Sequence, residues 1–124
     1  MIHLDTNYLI GLVTVPSPLQ SQLLAWLNAG EKFAISAVAW SEFLSGPVTP
    51  QEIRDASLML EGRIITFGVI EAEASAKIYN QTGRRRGTRN DCFIAATAIC
   101  SRTPLATLNH KDFAPFVAAG LRLV

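Results

Sequence analysis

Short apolar runs alternate along this chain with longer segments in which apolar residues recur every three or four positions. The short runs predict β-strands over residues 2–4, 33–35, 63–67, 104–108 and 121–124. These runs are continuously apolar rather than alternating, as expected for strands that are buried on both faces of a sheet. The pattern therefore predicts an α/β fold, a three-layer α/β/α sandwich with a mostly parallel central sheet.

The intervening segments carry signals for helix starts and ends. Ser17 and Ser36 are typical N-cap residues, and Thr49 and Glu52 have the spacing of a capping box. The last long helix, from Asn90 to Ser101, is the most apolar and is therefore expected to be central. The predicted helices run from Ser17 to Gly30, from Ser36 to Gly46, from Thr49 to Gly62, from Glu71 to Gln81, from Asn90 to Ser101 and around Phe113 to Ala119.

Composition narrows the class of protein. A chain of 124 residues predicts a single domain over residues 1–124, and 49% hydrophobic with 17% charged residues is typical of a globular fold. The formal net charge of +1 gives no global attraction to nucleic acid, so such attraction depends on local clusters. The one marked cluster is the arginine loop, residues 84–89.

The two cysteines predict no disulfide. Cys92 and Cys100 lie eight residues apart on one predicted helix, which separates their Cα atoms by roughly 12 Å, whereas bridged Cα atoms lie within about 7 Å. Two buried thiols in a reducing compartment are expected instead. No secretory signal is recognised at the start of the sequence, and no apolar run approaches the roughly 20 residues of a membrane span. The sequence thus predicts a soluble, cytoplasmic protein.

Four carboxylates follow predicted strands directly or lie in the first turns of the helices after them. They are Asp5, Glu42, Asp91 and Asp112. Because ligands of parallel sheets bind beyond the carboxyl ends of the strands, we expect these acids to converge. Crowded carboxylates repel one another unless a cation neutralises them, and an all-oxygen site suits Mg²⁺ or Mn²⁺.

Each of these acids also has a purely structural interpretation. Asp5 is suited to an Asx turn or an N-cap, and Glu42 to a solvated helix position. Asp91 has capping-box spacing from Thr88, and Asp112 is an ordinary acid for a helix start. These interpretations weaken when the four acids are considered together.

Other kinds of site lack support. The two histidines and two cysteines do not have zinc-ligand spacing, and no glycine-rich phosphate loop or serine-hydrolase motif is present. A receiver-type phospho-acceptor domain would need adjacent acids after the first strand and an acceptor aspartate after the middle strand, where the sequence is R-I-I-T-F-G. A catalytically silent module that binds RNA or a protein partner remains an alternative to an enzyme.

Four segments carry a resemblance to a known family. They are L-D-T-N (4–7), I-S-A-V-A-W-S-E-F-L-S-G (35–46), N-D-C-F-I-A-A-T-A-I (90–99) and L-A-T-L-N-H-K-D-F (105–113). In this order, and in a chain of this length, they resemble the motifs of PIN-domain nucleases, in particular the VapC-type toxins of bacterial toxin–antitoxin pairs. The resemblance extends over essentially the whole chain.

The resemblance implies an endoribonuclease that depends on Mg²⁺ or Mn²⁺ and is inhibited by a small antitoxin protein. Asp5, Glu42 and Asp91 match the three acidic positions of the family. The chemistry of phosphodiester hydrolysis predicts Asp5 and Asp91 as direct or water-mediated metal ligands and Glu42 as a ligand or proton acceptor. The fourth position stays open, because Asn109 stands where some members carry an acid and Asp112 follows three residues later.

Polar and basic side chains are expected to complete the site. Between the helix 71–81 and Asp91, the arginine loop is either a solvated basic loop or a clamp for RNA phosphates, formed by Arg84, Arg85, Arg86 and Arg89. The apolar composition also predicts surface for a homodimer or for the antitoxin. Hydroxyl or amide groups that can support the acids are those of Thr6, Asn7, Ser36, Thr107 and Asn109.

Overall fold

The computed structural model describes residues 1–14 and 16–124 and contains a four-stranded sheet with helices between successive strands. The strands are β1 (Ile2–Leu4), β2 (Phe33–Ser36), β3 (Ile64–Ile65) and β4 (Leu105–Ala106). The helices are α1 (Thr6–Val13), α2 (Gln20–Asn28), α3 (Ala37–Ser45), α4 (Pro50–Leu60), α5 (Val69–Gln81), α6 (Arg89–Cys100) and α7 (His110–Phe113), and a 3₁₀ helix (Ala114–Ala119) follows. Helical crossovers allow successive strands to run parallel.

The strand order is β3-β2-β1-β4, and all three pairings are parallel. Every residue of the two central strands, β1 and β2, is buried, so side chains on both faces of the sheet are covered. Only helices on both sides of the sheet can cover both faces. The predicted three-layer α/β/α sandwich with a parallel sheet is therefore confirmed.

The edge strands are shorter than the sequence predicts. β4 stops at Ala106, paired with Leu4, and β3 stops at Ile65, paired with Ser36. Beyond these residues the central strands have ended, and a further strand residue would have no ladder partner. The predicted strand 121–124 forms a single parallel bridge, from Leu123 to Leu105.

Helix caps that depend on local sequence are confirmed. Ser36 Oγ accepts a hydrogen bond from the Ala39 backbone N–H at 3.0 Å and so starts α3. Thr49 and Glu52 form a reciprocal capping box at the start of α4, with distances of 3.1 and 2.8 Å. Both caps use residues within three positions of each other, which explains why the sequence alone reveals them.

Two helices near the N-terminus differ from prediction. Helix α1 was not predicted, because its sequence, with Gly11 inside it, has weak intrinsic helix propensity; burial of Leu9 and Leu12 stabilises it. Helix α2 begins at Gln20 rather than Pro18, because Ser17 Oγ accepts from the Leu19 N–H within a separate turn.

Helix α6 is central, as predicted. Its buried residues run from Cys92 to Ala98 with only Phe93 partly exposed, and it packs against α5, α3, α7 and β2. The prediction that both cysteines are buried is wrong for Cys100, which is exposed because it ends the helix beyond the core. Within the described ranges, no helix is long and apolar enough to cross a membrane.

Candidate active site

Asp5 lies at the carboxyl end of β1 and is 4% exposed. Its Oδ1 accepts a hydrogen bond from the Thr6 N–H at 2.8 Å, and its Oδ2 accepts one from the Thr107 hydroxyl at 2.7 Å. Burial raises the pKa of Asp5 although both hydrogen bonds lower it. Asp5 is thus the N-cap of α1, as its structural interpretation predicts, and it is also held beside the last strand.

Glu42 is half-buried on α3 and reaches the turn that follows Asp5. The Thr6 hydroxyl lies 3.3 Å from Glu42 Oε1 and 3.4 Å from the Ala39 carbonyl oxygen. Burial raises the pKa of Glu42, the Thr6 hydrogen bond lowers it, and the negative charge of Asp5 raises it further. Glu42 is therefore not a fully solvated helix residue but an electrostatic neighbour of Asp5.

Asp91 lies in the first turn of α6 but does not form the predicted capping box. The Thr88 side chain makes no capping bond; its hydroxyl donates to the Arg85 carbonyl at 2.7 Å. No described residue donates a hydrogen bond to the Asp91 carboxylate, which is half-buried. Capping therefore does not explain this acid.

Four acids act on one another at this edge of the sheet. Burial raises the pKa of Asp91 to about 6, and the negative charges of Asp5, Asp112 and Glu42 contribute to the rise. No arginine opposes it, although the arginine loop precedes Asp91 directly along the chain. The structure thus places Asp91 within electrostatic range of the other three predicted carboxylates.

The fourth position involves two residues that stand close together. Asn109 precedes α7, and its backbone N–H donates to Thr107 Oγ1 at 3.0 Å, while its carbonyl accepts from the Asp112 N–H at 3.0 Å. Both side chains are exposed. Asp112 acts on the pKa of Asp91, whereas Asn109 is tied to Asp5 only through its backbone and Thr107.

The chemistry of these donors fits a divalent cation. Over residues 1–14 and 16–124, no three His, Cys, Asp or Glu side chains lie close enough to hold an ion as they stand. Burial raises the pKa of Asp91, and the negative charges of Asp5, Asp112 and Glu42 add to the rise, a repulsion that a bound cation would relieve. All-oxygen donors favour Mg²⁺ or Mn²⁺ over softer metals.

The arginine loop is exposed and positively charged. Within the part of the chain that the structure describes, Arg84, Arg85, Arg86 and Arg89 form no ion pair with a carboxylate. Arg84 has φ of 55°, in the left-handed region, and glycines at 83 and 87 also have positive φ. These turns present the arginines to solvent at the start of the Asp91 helix.

The PIN domain family model matches residues 2–115 of this sequence. The chain belongs to the PIN domain family. Solved structures of similar fold include a toxin–antitoxin complex from Klebsiella pneumoniae, with 30% identity over 92% of this chain and 91% of that chain and a TM-score of 0.72. No curated protein sequence matches the chain.

Two further structures extend the likeness. FitAcB from Neisseria gonorrhoeae is 25% identical over 99% of this chain and 96% of that chain, with a TM-score of 0.71. VapBC2 from Rickettsia felis bound to a DNA fragment from the promoter has 24% identity over 100% and 98% of the two chains; its TM-score of 0.74 shows a common fold. The resemblance to VapC-type PIN toxins that the four motifs indicate is therefore confirmed.

The supporting polar residues of this PIN domain differ in their placement. Thr6 and Thr107 hydrogen-bond directly to acids of the site. Ser36 is buried and uses its hydroxyl as the cap of α3, so it positions the helix that carries Glu42. Asn7 is exposed, and its side chain makes no hydrogen bond to any residue that the structure describes.

One feature of this PIN domain was not predicted from the sequence. Phe67, Tyr79 and Phe93 line a cleft beside the arginine loop, together with Arg84 and Arg89. The signal in the sequence is an aromatic residue on either side of the arginines, but helix periodicity alone assigns such residues to the core. Only the packing of α5 against α6 shows that these rings also border a cleft.

Proposed function

We propose that this PIN domain is the toxin of a toxin–antitoxin pair, an endoribonuclease that hydrolyses RNA phosphodiester bonds with Mg²⁺ or Mn²⁺. The observation that carries the proposal is the pKa of Asp91, raised to about 6 by burial and by three other carboxylates. Repulsion among unneutralised acids at one edge destabilises a fold, whereas a cation-dependent nuclease uses such acids as metal ligands.

In this proposal Asp5 and Asp91 bind the metal, and Glu42 is a further ligand or the proton acceptor. Asp112 is favoured over Asn109 as the fourth group, because its charge already acts on Asp91. A bound Mg²⁺ or Mn²⁺ supplies a Lewis acid for the phosphate and lowers the pKa of a bound water.

The chain's own residues orient these groups. Thr6 and Thr107 bind one oxygen each of Asp5, which fixes the plane of its carboxylate. The Thr6 hydroxyl also contacts Glu42 Oε1, which leaves Oε2 to accept a proton from the attacking water. The raised pKa of Glu42 makes that oxygen a better base near neutral pH than an ordinary carboxylate.

RNA is bound by the arginine loop in this proposal. Arg84, Arg85, Arg86 and Arg89 attract the phosphates, and the N-terminus of α6 adds a favourable dipole beside Asp91. The partner is a small antitoxin protein that suppresses cleavage; the likeness to the Klebsiella pneumoniae toxin–antitoxin complex supports it. Large exposed apolar side chains on α2 and α5 offer surface for the antitoxin or for a homodimer.

Asp91→Asn tests the proposal. We expect it to lower RNA cleavage in Mg²⁺ or Mn²⁺ by more than about a hundredfold, because loss even of a residue that only supports a metal ligand costs 10–100-fold. The circular dichroism spectrum should stay unchanged, since Asp91 makes no described hydrogen bond. Cleavage of a labelled RNA on a denaturing gel, with Mg²⁺, Mn²⁺ or EDTA, measures the effect.

Asp55→Asn is the matched control, because Asp55 is a helix aspartate on α4 whose side chain bonds only to Gln51 among the described residues. It should cleave like the wild type. Cleavage by Asp91→Asn at the wild-type rate would contradict the assignment. A wild type that cuts no RNA with either metal would leave the protein as a silent RNA- or partner-binding module.

A further inference from the structure

A cleft of about 390 Å³ lies at the contact of α5 and α6. This volume is within the range of small-molecule sites, about 300–1,000 Å³. Cys92 and Phe93 line the cleft and directly follow Asp91, which with Asp5, Glu42 and Asp112 forms the acid cluster. No carboxylate from the described residues lines the cleft. Its walls combine three aromatic rings with two arginines, namely Phe67, Tyr79, Phe93, Arg84 and Arg89. A flat, electron-rich or anionic ligand fits such walls better than a cation or an aliphatic chain.

A stacked pair of side chains forms one wall of this cleft. The Arg89 guanidinium carbon lies 4.8 Å from the centroid of the Tyr79 ring. The Tyr79 hydroxyl donates to the Arg84 carbonyl at 3.1 Å, and the Arg84 N–H donates to the Tyr79 carbonyl at 2.9 Å, so the ring is fixed against the loop. Guanidinium planes and aromatic faces are the surfaces on which unpaired bases stack.

A second wall is purely aromatic. The Phe67 and Phe93 rings meet edge to face at a centroid distance of 5.0 Å. Both are half-buried, so each keeps part of its ring open to the cleft. These two rings are inclined at 63° and line the same cleft as the stacked arginine, so they offer apolar surface to a planar group.

The cleft borders a groove that reaches Glu42 of the acid cluster. Phe93 lines both the cleft and the shallower groove that contains Glu42, and Asn90 lies in that groove too. Asn90 also lines a basic hollow with Arg84, Arg86 and Arg89. An RNA strand whose phosphate lies at the acids can therefore place an adjacent base in the cleft and adjacent phosphates on the arginines.

We propose that this cleft binds one unpaired nucleobase of the RNA, next to the phosphodiester at the acid cluster. The inference rests on the proposed function and specifies its substrate class as single-stranded or looped RNA, since a paired base would first have to be unpaired and unstacked, at a cost in free energy. An acidic peptide segment of a partner would also match the arginines, but it would leave the stacked and edge-to-face rings unused.

Binding without cleavage tests this assignment. The probe is a fluorescent single-stranded RNA of about five nucleotides, together with a series in which one nucleotide at a time lacks its base; affinity is measured by anisotropy in EDTA. For the wild type we expect one abasic position to weaken binding by about 5- to 150-fold, since stacking of one base contributes about 1–3 kcal/mol. In Tyr79→Leu this penalty should shrink to that of the other positions.

Arg89→Lys is the sharper variant and does not depend on a buried ring. It keeps the positive charge at an exposed position but removes the planar guanidinium, so the salt dependence of binding should stay unchanged while the abasic penalty falls. Arg54→Lys, an exposed arginine of α4 that lines none of these clefts, is the matched control and should keep the full penalty.

The outcomes separate this inference from the proposed function. Wild type without any position-dependent abasic penalty, or with the same penalty in both variants, overturns the base site even if RNA is cleaved; an acidic partner segment is then left as the occupant of the cleft. An abasic penalty that the variants remove, in a protein that cuts no RNA with Mg²⁺ or Mn²⁺, supports the base site and overturns only the nuclease.

Discussion

The acid cluster and the arginine loop carry opposite charges and adjoin each other along the chain, yet neither neutralises the other. The pKa of Asp91 is raised to about 6 by three carboxylates and by burial, with no arginine opposing the rise. The loop arginines are exposed and form no ion pair with a carboxylate among the residues described. The repulsion that acts on Asp91 is therefore not offset by the neighbouring positive charges.

The two regions also differ in how they are held. Asp5 is buried, and both of its carboxylate oxygens accept hydrogen bonds. The arginines project from turns whose backbone is held by two hydrogen bonds: the Tyr79 hydroxyl donates to the Arg84 carbonyl, and the Thr88 hydroxyl donates to the Arg85 carbonyl. The difference indicates two separate tasks: the fixed carboxylate of Asp5 suits a cation, which demands a defined geometry, and the exposed arginines suit phosphates of a flexible strand.

Asp5→Asn tests the acid side of this comparison and should give the largest effect on stability. Without metal, the variant should melt at a higher temperature than the wild type, because one of the repelling charges is gone. With Mg²⁺ or Mn²⁺ at a hundred times its dissociation constant, the wild type should gain roughly 2.7 kcal/mol and the variant much less. Thermal melts of both proteins in EDTA and in Mn²⁺ measure the two differences.

The control for this experiment is the same substitution at Asp55, which should leave the metal response intact. Asparagine caps a helix about as well as aspartate, so loss of the α1 cap does not account for a changed metal response. Equal gains for wild type and Asp5→Asn would mean that Asp5 serves only as a cap.

The joint replacement of Arg84, Arg85 and Arg86 by alanine tests the basic side and should give an intermediate effect. RNA affinity should fall, and the log–log slope of affinity against salt should flatten by about 0.7 for each phosphate that the loop no longer binds. Thermal stability should barely change, because these side chains are exposed and unpaired within the described structure.

Removal of three positive charges elsewhere, from Lys32, Arg54 and Lys77, separates a local clamp from a change in net charge. These residues lie outside the loop. If both triple variants lose the same affinity and slope, the arginine loop is merely a solvated basic loop.

The pH dependence of stability should show the smallest effect. Because the pKa of Asp91 is raised to about 6 in the folded protein, above its unfolded value, its stabilising contribution is full below about pH 4 and is lost as pH rises through 6. In EDTA, wild type should therefore lose stability relative to Asp91→Asn over this window, as urea unfolding at several pH values would show.

Ionisation of His3 makes stability rise rather than fall as pH increases, and it does so equally in the wild type and in Asp91→Asn. Burial lowers its pKa to about 4, so stability falls as pH drops below about 6.5, and the comparison of the two proteins cancels this term. Parallel stability curves for wild type and Asp91→Asn would show that the folded protein does not raise the pKa of Asp91.

Local sequence determined the features that depend on near neighbours. The caps at Ser36 and Thr49 use side chains within three residues of the helix start, and the central strands are apolar runs that need no partner to be recognised. The positions of the four acids after strands could also be interpreted from the sequence, because the carboxyl ends of parallel strands lie at one edge of a sheet.

Only the tertiary structure decided the features that join distant parts of the chain. Thr107 binds Asp5 across 102 residues, which makes one residue both a helix cap and a member of the acid cluster. The strand ends depend on where the neighbouring strands stop, and the cleft of Tyr79 and Phe93 exists because α5 packs on α6. The energy of each such contact depends on burial, hydrogen bonding and charge repulsion between residues that are far apart in the sequence. These interactions exist only once the chain has folded, so no local sequence pattern predicts them.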